Sequence, residues 1–400
     1  MIVLKFLISS SVTLSEDGAM VKLRQCPRRK LIPFAVACGL TSVCLALGLL
    51  STRQSFISIL EEMPRFPHAQ TNGTTFMESI KRLEDGHLFV SLPSEQYFHK
   101  ASPVFSPSPY PLNPLDFRFL IPAASVCGAG KSTFLLLLIL SKAEDFAMRN
   151  AIRSTWLDAG EKNRWPRVNI SESVRHVFLV GNTPHDKRKD VYRTLLREAM
   201  VFEDIVMMDF VDSYRNLTTK VLMGFSWALK YCKQVDVVLK VDSDTIINVP
   251  LIIELVSYVL RQKKAKPFVL GLRHLHPFPM VVRRGKWAVT EQEYPLKYFP
   301  AYLYGHTYAV TGSALDGIVD RARHLPLIAP EDAFLTGIVP KSIGIERISA
   351  PSFTTTGEIS DCRLVHGEKV AFTDLREPLL LYKVWKSFIL NSCNKDVFLK

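Results

Sequence analysis

The chain has 400 residues, with 50 Lys and Arg against 38 Asp and Glu and a formal net charge of +12. An apolar share of 48% and an aromatic share of 10% exclude a disordered chain and suffice for one large domain or two ordinary ones. The basic excess admits a nucleic acid, a membrane surface or an anionic substrate. With no basic–aromatic stripe and no zinc-ligand spacing, nucleic acid is not an expected partner.

Part of the charge is placed rather than spread. Lys5, Lys22, Arg24, Arg28, Arg29 and Lys30 precede residue 31, against Glu16 and Asp17 alone. Residues 31–50, LIPFAVACGLTSVCLALGLL, then carry no charge, enough to cross a bilayer as one helix. Basic residues on the leading side predict a cytoplasmic N-terminus and a lumenal body. A cleaved signal peptide is disfavoured, because the run is long and begins far from the N-terminus. Translation from Met1 or from Met20 fits equally. The expected organisation is a cytoplasmic tail (1–30), a transmembrane signal-anchor helix (31–50), a Pro-rich stem (51–131) and a lumenal domain (132–400). Three glycosylation sequons, at Asn72, Asn169 and Asn216, accord weakly with this topology. Cys127, Cys232, Cys362 and Cys393 fall on the lumenal side, where two disulfides in any of three connectivities are open.

From residue 132 the pattern becomes regular. Residues 134–140, FLLLLIL, read as a strand buried on both faces. A helix is expected over 143–156, a strand over 177–180, an amphipathic helix over 186–200 and a strand over 205–210. Leu217, Val221, Leu222, Phe225, Ala228 and Leu229 recur at helical spacing, with Asn216 as an N-cap type. Residues 235–241 form the next strand, and Pro250 opens a further helix with a basic last turn. Alternating strands and helices predict an α/β domain with a mostly parallel sheet. Ligands of such sheets bind beyond the carboxyl ends of strands.

Asp242 and Asp244 occupy that place, two residues apart at the end of the 235–241 strand. Hard carboxylate oxygens there suit Mn²⁺ or Mg²⁺ shared with a diphosphate, although Asp and Ser also favour caps and turns. The segment 127–133, CGAGKST, is not a phosphate-binding loop: Ser125 stands where the first glycine is needed, and a strand follows instead of a helix.

Six ordered blocks now resemble one family. Residues 149–156, RNAIRSTW, are similar to the RxAIRxTW signature of the β1,3-galactosyltransferase family. So are FLVG at 178–181, the DI…DFVDSYRNLTTK blocks over 204–220, KVDSD at 240–244, KW…YP…YFPAYLYG over 286–305 and PEDA at 330–333. The resemblance covers about 132–370. It implies a GT-A (nucleotide-sugar-binding, Rossmann-like) fold, a type II Golgi membrane protein, a UDP-sugar donor, Mn²⁺ and inversion at the anomeric carbon. Asp242 and Asp244 would then hold the metal, with the late histidine of the family matched by His366. Asp332, at the positive end of a short helix AFLTGIV before Pro340, is the candidate general base. Glu331 is a candidate for acceptor hydroxyls. Arg149 and Arg153, at i and i+4, present guanidinium forks for a nucleotide or an acidic neighbour such as Asp212, and Lys220 is a further donor-site candidate. Trp287, Tyr298, Tyr302 and Tyr304 suit an acceptor wall, with Trp287 and Tyr302 the principal ones; core packing is the competing role for each.

Three positions depart from the family pattern: Ser243 between the aspartates, Leu157 after the Trp, and Ala333 after Glu-Asp. None removes a functional group. The expected activity is transfer of galactose from UDP-galactose to the 3-hydroxyl of an acceptor glycan on a glycoprotein or glycolipid. Transfer of N-acetylglucosamine or N-acetylgalactosamine is the enzymatic alternative. A non-catalytic lumenal lectin or folding partner is the alternative of another class.

Overall fold

The computed structural model of the chain describes residues 90–91, 106–128, 132–183, 188–276, 278–353 and 362–392. The expected tail, the membrane-spanning run, most of the stem, the Asn72 sequon and Cys393 lie outside the described residues. Among the described residues, no helix is long and apolar enough to cross a membrane.

Among the described residues, nine strands form one sheet. In chain order they are β1 (Val90–Ser91), β2 (Phe119–Ile121), β3 (Thr133–Leu140), β4 (Val174–Asn182), β5 (Ile205–Val211), β6 (Val235–Asp242), β8 (Phe268–Arg273), β9 (Leu303–Thr311) and β10 (Glu346–Ser349). Across the sheet the order is β1-β10-β8-β9-β6-β3-β4-β5-β2. A separate two-stranded ladder joins β7 (Ile246–Ile247) to β11 (Ala371–Phe372). The strands β6, β3, β4 and β5 run parallel. Around them the sheet is mixed, because β9 is antiparallel to both β6 and β8, and both edge strands pair antiparallel. The expectation of a mostly parallel sheet therefore holds for the run β6, β3, β4, β5 and for the β8–β10 pair. Of the strands that break it, β9 lies beyond residue 262, where the sequence pattern predicts no strand, and the short edge strands β1 and β2 lie within the expected stem.

Strand β3 shows why the centre is stable. Its side chains alternate between two cores: Leu135, Leu137 and Ile139 face one, Leu136, Leu138 and Leu140 the other. Leu135 through Ile139 are fully buried, which contributes on the order of 10 kcal/mol of apolar burial before chain entropy is subtracted. On the first face pack α1 (Phe146–Ile152), α5 (Val249–Gln262) and α8 (Pro378–Leu390). On the second pack α4 (Leu217–Tyr231) and α6 (Gly312–Arg323). The result is three layers, helices on both sides of a sheet.

Four local expectations change. The stem boundary moves N-terminally: β1 and β2 lie at the two edges of the sheet, and the Asn113 side-chain amide donates to the carbonyls of Ala322 and Leu325. Cys127 is disulfide-bonded to Cys232, and Cys362 is disulfide-bonded as well. Edge strands of two or three residues bear no periodic signature, so the prolines around them read as spacer. Secondly, the helix at 143–156 is α1 followed by a wide turn (Arg153–Leu157) and α2 (Asp158–Glu161). The Ser154 and Thr155 hydroxyls donate back to the carbonyls of Asn150 and Ala151, which bends helices. Thirdly, Asn216 does not cap α4; its side-chain amide donates to the Val211 carbonyl. Asn248 caps α5 instead, accepting from the Leu251 N–H. Finally, the helical segment after Asp332 does not stop before Pro340. A wide turn at Ala333–Ile338 runs into α7 (Val339–Ile343), with Pro340 in its first turn, where no N–H is needed.

Candidate active site

The chain runs from β3 to β4 to β5 on one side and then crosses back, placing β6 on the other flank of β3. The crevice beyond the carboxyl ends of β3 and β6 is therefore a topological switch point, where ligands of open α/β sheets bind. Leu140 is registered opposite Asp242, so Ser141 and the Asp242–Asp244 turn flank that crevice.

Lys220 lies beneath it, almost wholly buried on α4. Its ammonium donates to the Ser141 carbonyl and to Asp212 Oδ2, each at 2.7 Å. The same Oδ2 accepts from the Gly181 N–H. Burial pushes the Lys220 pKa down, against the pull of Asp212. The residue ties together the ends of β3, β4 and β5 and does not present a free charge to a phosphate.

Arg149 and Arg153 also depart from the donor-site expectation. Arg149 is 1% exposed and spends its donors on Glu198, the Ser141 hydroxyl and the carbonyls of Lys142 and Ala143. Arg153 grips Asp204 with two hydrogen bonds and lies 2.7 Å from Glu198. Their i, i+4 spacing does put both on one side of the helix. That side faces two buried carboxylates, which Arg149 and Arg153 neutralise, and not Asp212. Arg149 thereby shapes the 141–143 loop beside the crevice.

Asp242 and Asp244 emerge at the mouth of the switch point. Asp242 is 37% exposed, and its Oδ1 accepts from the Lys240 ammonium at 2.7 Å. Asp244 accepts through its carbonyl from Leu375 N–H and lies near the Thr245 and Thr373 hydroxyls. Burial first, then the charges of Asp242 and Asp374, push the Asp244 pKa up. Two hard carboxylates repelling each other at a strand end are relieved by a divalent cation, so the donor set fits Mn²⁺ or Mg²⁺. Among the described residues, no three carboxylate, imidazole or thiolate groups converge as a ready-made ligand set. His366 is exposed, and its backbone N–H donates to the Cys362 carbonyl, but its ring is not brought into a ligand set with the two aspartates. The metal assignment here rests on the aspartate pair.

The candidate base, Asp332, follows Glu331, whose Oε2 lies 3.7 Å from the same Lys240 ammonium. Asp332 accepts from the Ala333 N–H through Oδ1 at 2.8 Å. Burial pushes its pKa up, Ala333 N–H and Lys240 oppose this, and the Asp242 charge adds to it. The two ends of the site thus share one electrostatic field. Glu331, the candidate for acceptor hydroxyls, is turned inward: it is 2% exposed, its Oε1 accepts from the Tyr308 hydroxyl and its Oε2 lies 3.7 Å from Lys240. Burial moves its pKa up to about 7, with Lys240 pulling against the shift.

Of the aromatic candidates, Tyr302 borders the base. It stacks on His274 at 5.1 Å, and burial followed by the Asp332 charge pushes its phenol pKa up. Trp287 is 57% exposed and shares the Lys286 ammonium with Tyr214, at 5.7 and 5.1 Å from the ring centres. Tyr214 is a site residue that the sequence does not single out. Burial, then Asp332, Glu331 and Asp242, raise its pKa to about 12. Lys240 is a second such residue. Its signal is the strand period of two, which puts residues 238, 240 and 242 on one face.

A family model described as Galactosyltransferase matches residues 147–351, from the turn of α1 through Asp242, Asp244, Glu331 and Asp332 to the end of β10. The chain belongs to the galactosyltransferase family. The UDP-GalNAc:beta-1,3-N-acetylgalactosaminyltransferase 1 of Mus spicilegus is 30% identical over 247 residues, 62% of this chain and 71% of that protein. The Beta-1,3-galactosyltransferase 5 of Pan paniscus is 30% identical over 258 residues, 64% and 80% of the two chains; that of Gorilla gorilla gorilla is 31% identical over 259 residues, 64% and 81%. Among solved structures, a CMP:2-keto-3-deoxy-manno-octonic acid synthetase complexed with CTP overlays at a TM-score of 0.30 with 14% identity, over 54% of this chain and 89% of that one, too weak a likeness to carry an argument. Family membership makes the chain a glycosyltransferase and implies a nucleotide-sugar donor and a glycan acceptor.

Proposed function

We propose that the chain is an inverting, metal-dependent β1,3-glycosyltransferase that moves galactose from UDP-galactose to the 3-hydroxyl of an acceptor glycan. The observation that carries this reading is the carboxylate pair at the carboxyl end of β6, joined through Lys240 to Glu331 and so to the neighbouring Asp332. Asp332 accepts the proton of the acceptor hydroxyl while that oxygen forms its bond to the anomeric carbon. The bond from the anomeric carbon to the β-phosphate oxygen breaks, and its electron pair leaves with UDP. Burial raises the basicity of Asp332, which suits proton acceptance. Asp242 and Asp244 would hold Mn²⁺ or Mg²⁺, which when bound supplies Lewis-acid stabilisation of charge on the leaving diphosphate. Tyr302 walls the acceptor beside the base, with Tyr214 and Trp287 further out. The N-terminal pattern of a basic tail and an uncharged run of twenty residues favours a single-pass type II protein of the Golgi membrane with a lumenal catalytic domain.

A second donor, UDP-N-acetylgalactosamine, is favoured by one observation: relatives named for that sugar and for galactose share the same 30% identity with this chain. The lectin or folding-partner alternative gives no reason for a metal-type carboxylate pair joined through Lys240 to the segment that carries Asp332. The test is UDP release by the full chain in detergent, with Mn²⁺, an acceptor panel and a panel of UDP-sugars. EDTA is expected to abolish turnover and Mn²⁺ to restore it. Asp332→Asn is expected to retain UDP binding and to lose about 10²–10⁴ in kcat. Turnover with UDP-N-acetylgalactosamine alone would replace the donor; turnover with no donor would remove the enzymatic reading, and an Asp332→Asn enzyme above about a tenth of wild-type rate would remove Asp332 as the base.

A further inference from the structure

An ammonium group in a protein interior is costly unless it is paired and hydrogen-bonded. Lys240 is 1% exposed, toward the C-terminal end of β6, whose other buried residues are apolar. Its ammonium donates to Asp242 Oδ1 on its own strand and to the Gly305 carbonyl on β9, and forms an ion pair at 3.7 Å with Glu331 Oε2, next to Asp332. The second oxygen of Glu331 is held by the Tyr308 hydroxyl, also on β9. The chain of contacts therefore runs from Asp242 through Lys240 to Glu331 and its neighbour Asp332.

We propose that Lys240 is a positioning residue: it fixes the Asp242 carboxylate and ties it to the segment that carries Asp332, so that the metal-holding and proton-accepting ends of the site are held as one unit. Glu331 is the other end of the tie, not an acceptor ligand. The inference rests on the proposed function for what Asp242 and Asp332 do. The competing explanation is structural only, a buried ion pair that neutralises itself. Removing both charges together separates the two. A self-neutralising pair can be replaced by two neutral residues with little effect. A tie to Asp242 cannot, because Asp242 loses its anchor in either case.

The experiment uses the full chain in detergent and compares wild type, K240M/E331Q, K240R and D242N. Three readouts are taken: the thermal transition, Mn²⁺ binding in the presence of UDP followed by the electron paramagnetic resonance signal of free Mn²⁺, and the kcat and KM for UDP-galactose. Loss of groups that orient a metal ligand typically weakens metal affinity by about 10–100-fold. The expected result is a K240M/E331Q protein that melts near wild type but binds Mn²⁺ about 10–100-fold more weakly, with donor KM raised more than kcat is lowered. K240R keeps the charge but exchanges a compact ammonium for a planar fork, and is expected to weaken Mn²⁺ binding in the same direction. If either variant folds and binds Mn²⁺ within about twofold of wild type, the tie is overturned. If D242N itself binds Mn²⁺ like wild type, the metal assignment of the proposed function falls instead, and with it the premise of the tie.

Discussion

Gly305 gives a direct probe of how tightly the candidate base is held. A methyl group there would lie 3.1 Å from Asp332 Cβ, 3.2 Å from its Oδ2 and 3.3 Å from its Cγ, whereas ordinary contact begins at 3.4 Å. Gly305→Ala therefore forces Asp332 back by a few tenths of an ångström. The side chain has little freedom to yield, since its Oδ1 accepts from the Ala333 N–H and Glu331 and Ala333 on either side are buried. Overpacking by a methylene costs about 1–3 kcal/mol; one methyl at these distances belongs at the low end, about 1 kcal/mol. A misplacement of about 1 Å at a reacting group costs about 10²-fold in rate, so a third of that displacement corresponds to roughly a three- to tenfold loss. The assay is initial-rate UDP release at saturating donor and acceptor, with a thermal melt alongside. The expected result is kcat down about three- to tenfold, donor KM within about twofold, and a midpoint lowered by a few degrees. A lowered midpoint with unchanged kcat would show that Asp332 can move without consequence to the chemistry, and the base would have to be another group.

At Gly312 the close approach is to backbone: an added Cβ would sit 1.9 Å from the Val235 carbonyl oxygen. Gly312→Ala is therefore expected to destabilise by more than about 3 kcal/mol, seen as loss of the cooperative melt; a normal melt would contradict the packing of α6 against β6. The Cys127–Cys232 disulfide spans 105 residues, for which loop closure predicts about 4–5 kcal/mol of stabilisation; replacing both cysteines by serine should lower the denaturant midpoint accordingly, and an unchanged midpoint would place the stabilisation elsewhere. His176 sits between Glu161 and Asp204. Burial alone would depress its pKa, but the two carboxylates raise it from 6.5 to about 9. Because the folded value is the higher one, this contribution is complete below pH 6.5 and is lost as pH rises through about 9. Urea melts between about pH 6 and 10 should show that fall in stability, and His176→Gln should remove the slope; an unaltered slope in the variant would assign it to other groups.

Much of the centre of this fold was legible from local pattern. The run 134–140 and the run 235–241 are continuous and apolar because each strand is covered on both faces, and such burial leaves no other composition. Asp242 and Asp244 stood out for the converse reason, as carboxylates where burial ends. Asp332 and Tyr302 came with the family resemblance; the structure sets Tyr302 against His274 and Asp332 against Gly305. What sequence could not determine was the partner of each charge. Arg149 and Arg153 have the spacing of a phosphate fork, yet they face Glu198 and Asp204, which are 49 and 51 residues away in the chain and adjacent only once α3 (Arg188–Phe202) packs. Lys220 and Glu331 have the chemistry of ligand-binding groups, but their polar atoms are spent on Asp212, Ser141, Tyr308 and Lys240. Hydrogen-bond donors and acceptors are satisfied by whatever the fold brings within about 3 Å, and that proximity belongs to tertiary structure. The edge strands β1 and β2 follow the same logic: they are two and three residues long, too short for a period to show, and their pairing with β10 and β5 is made by backbone groups, which leave no trace in side-chain pattern.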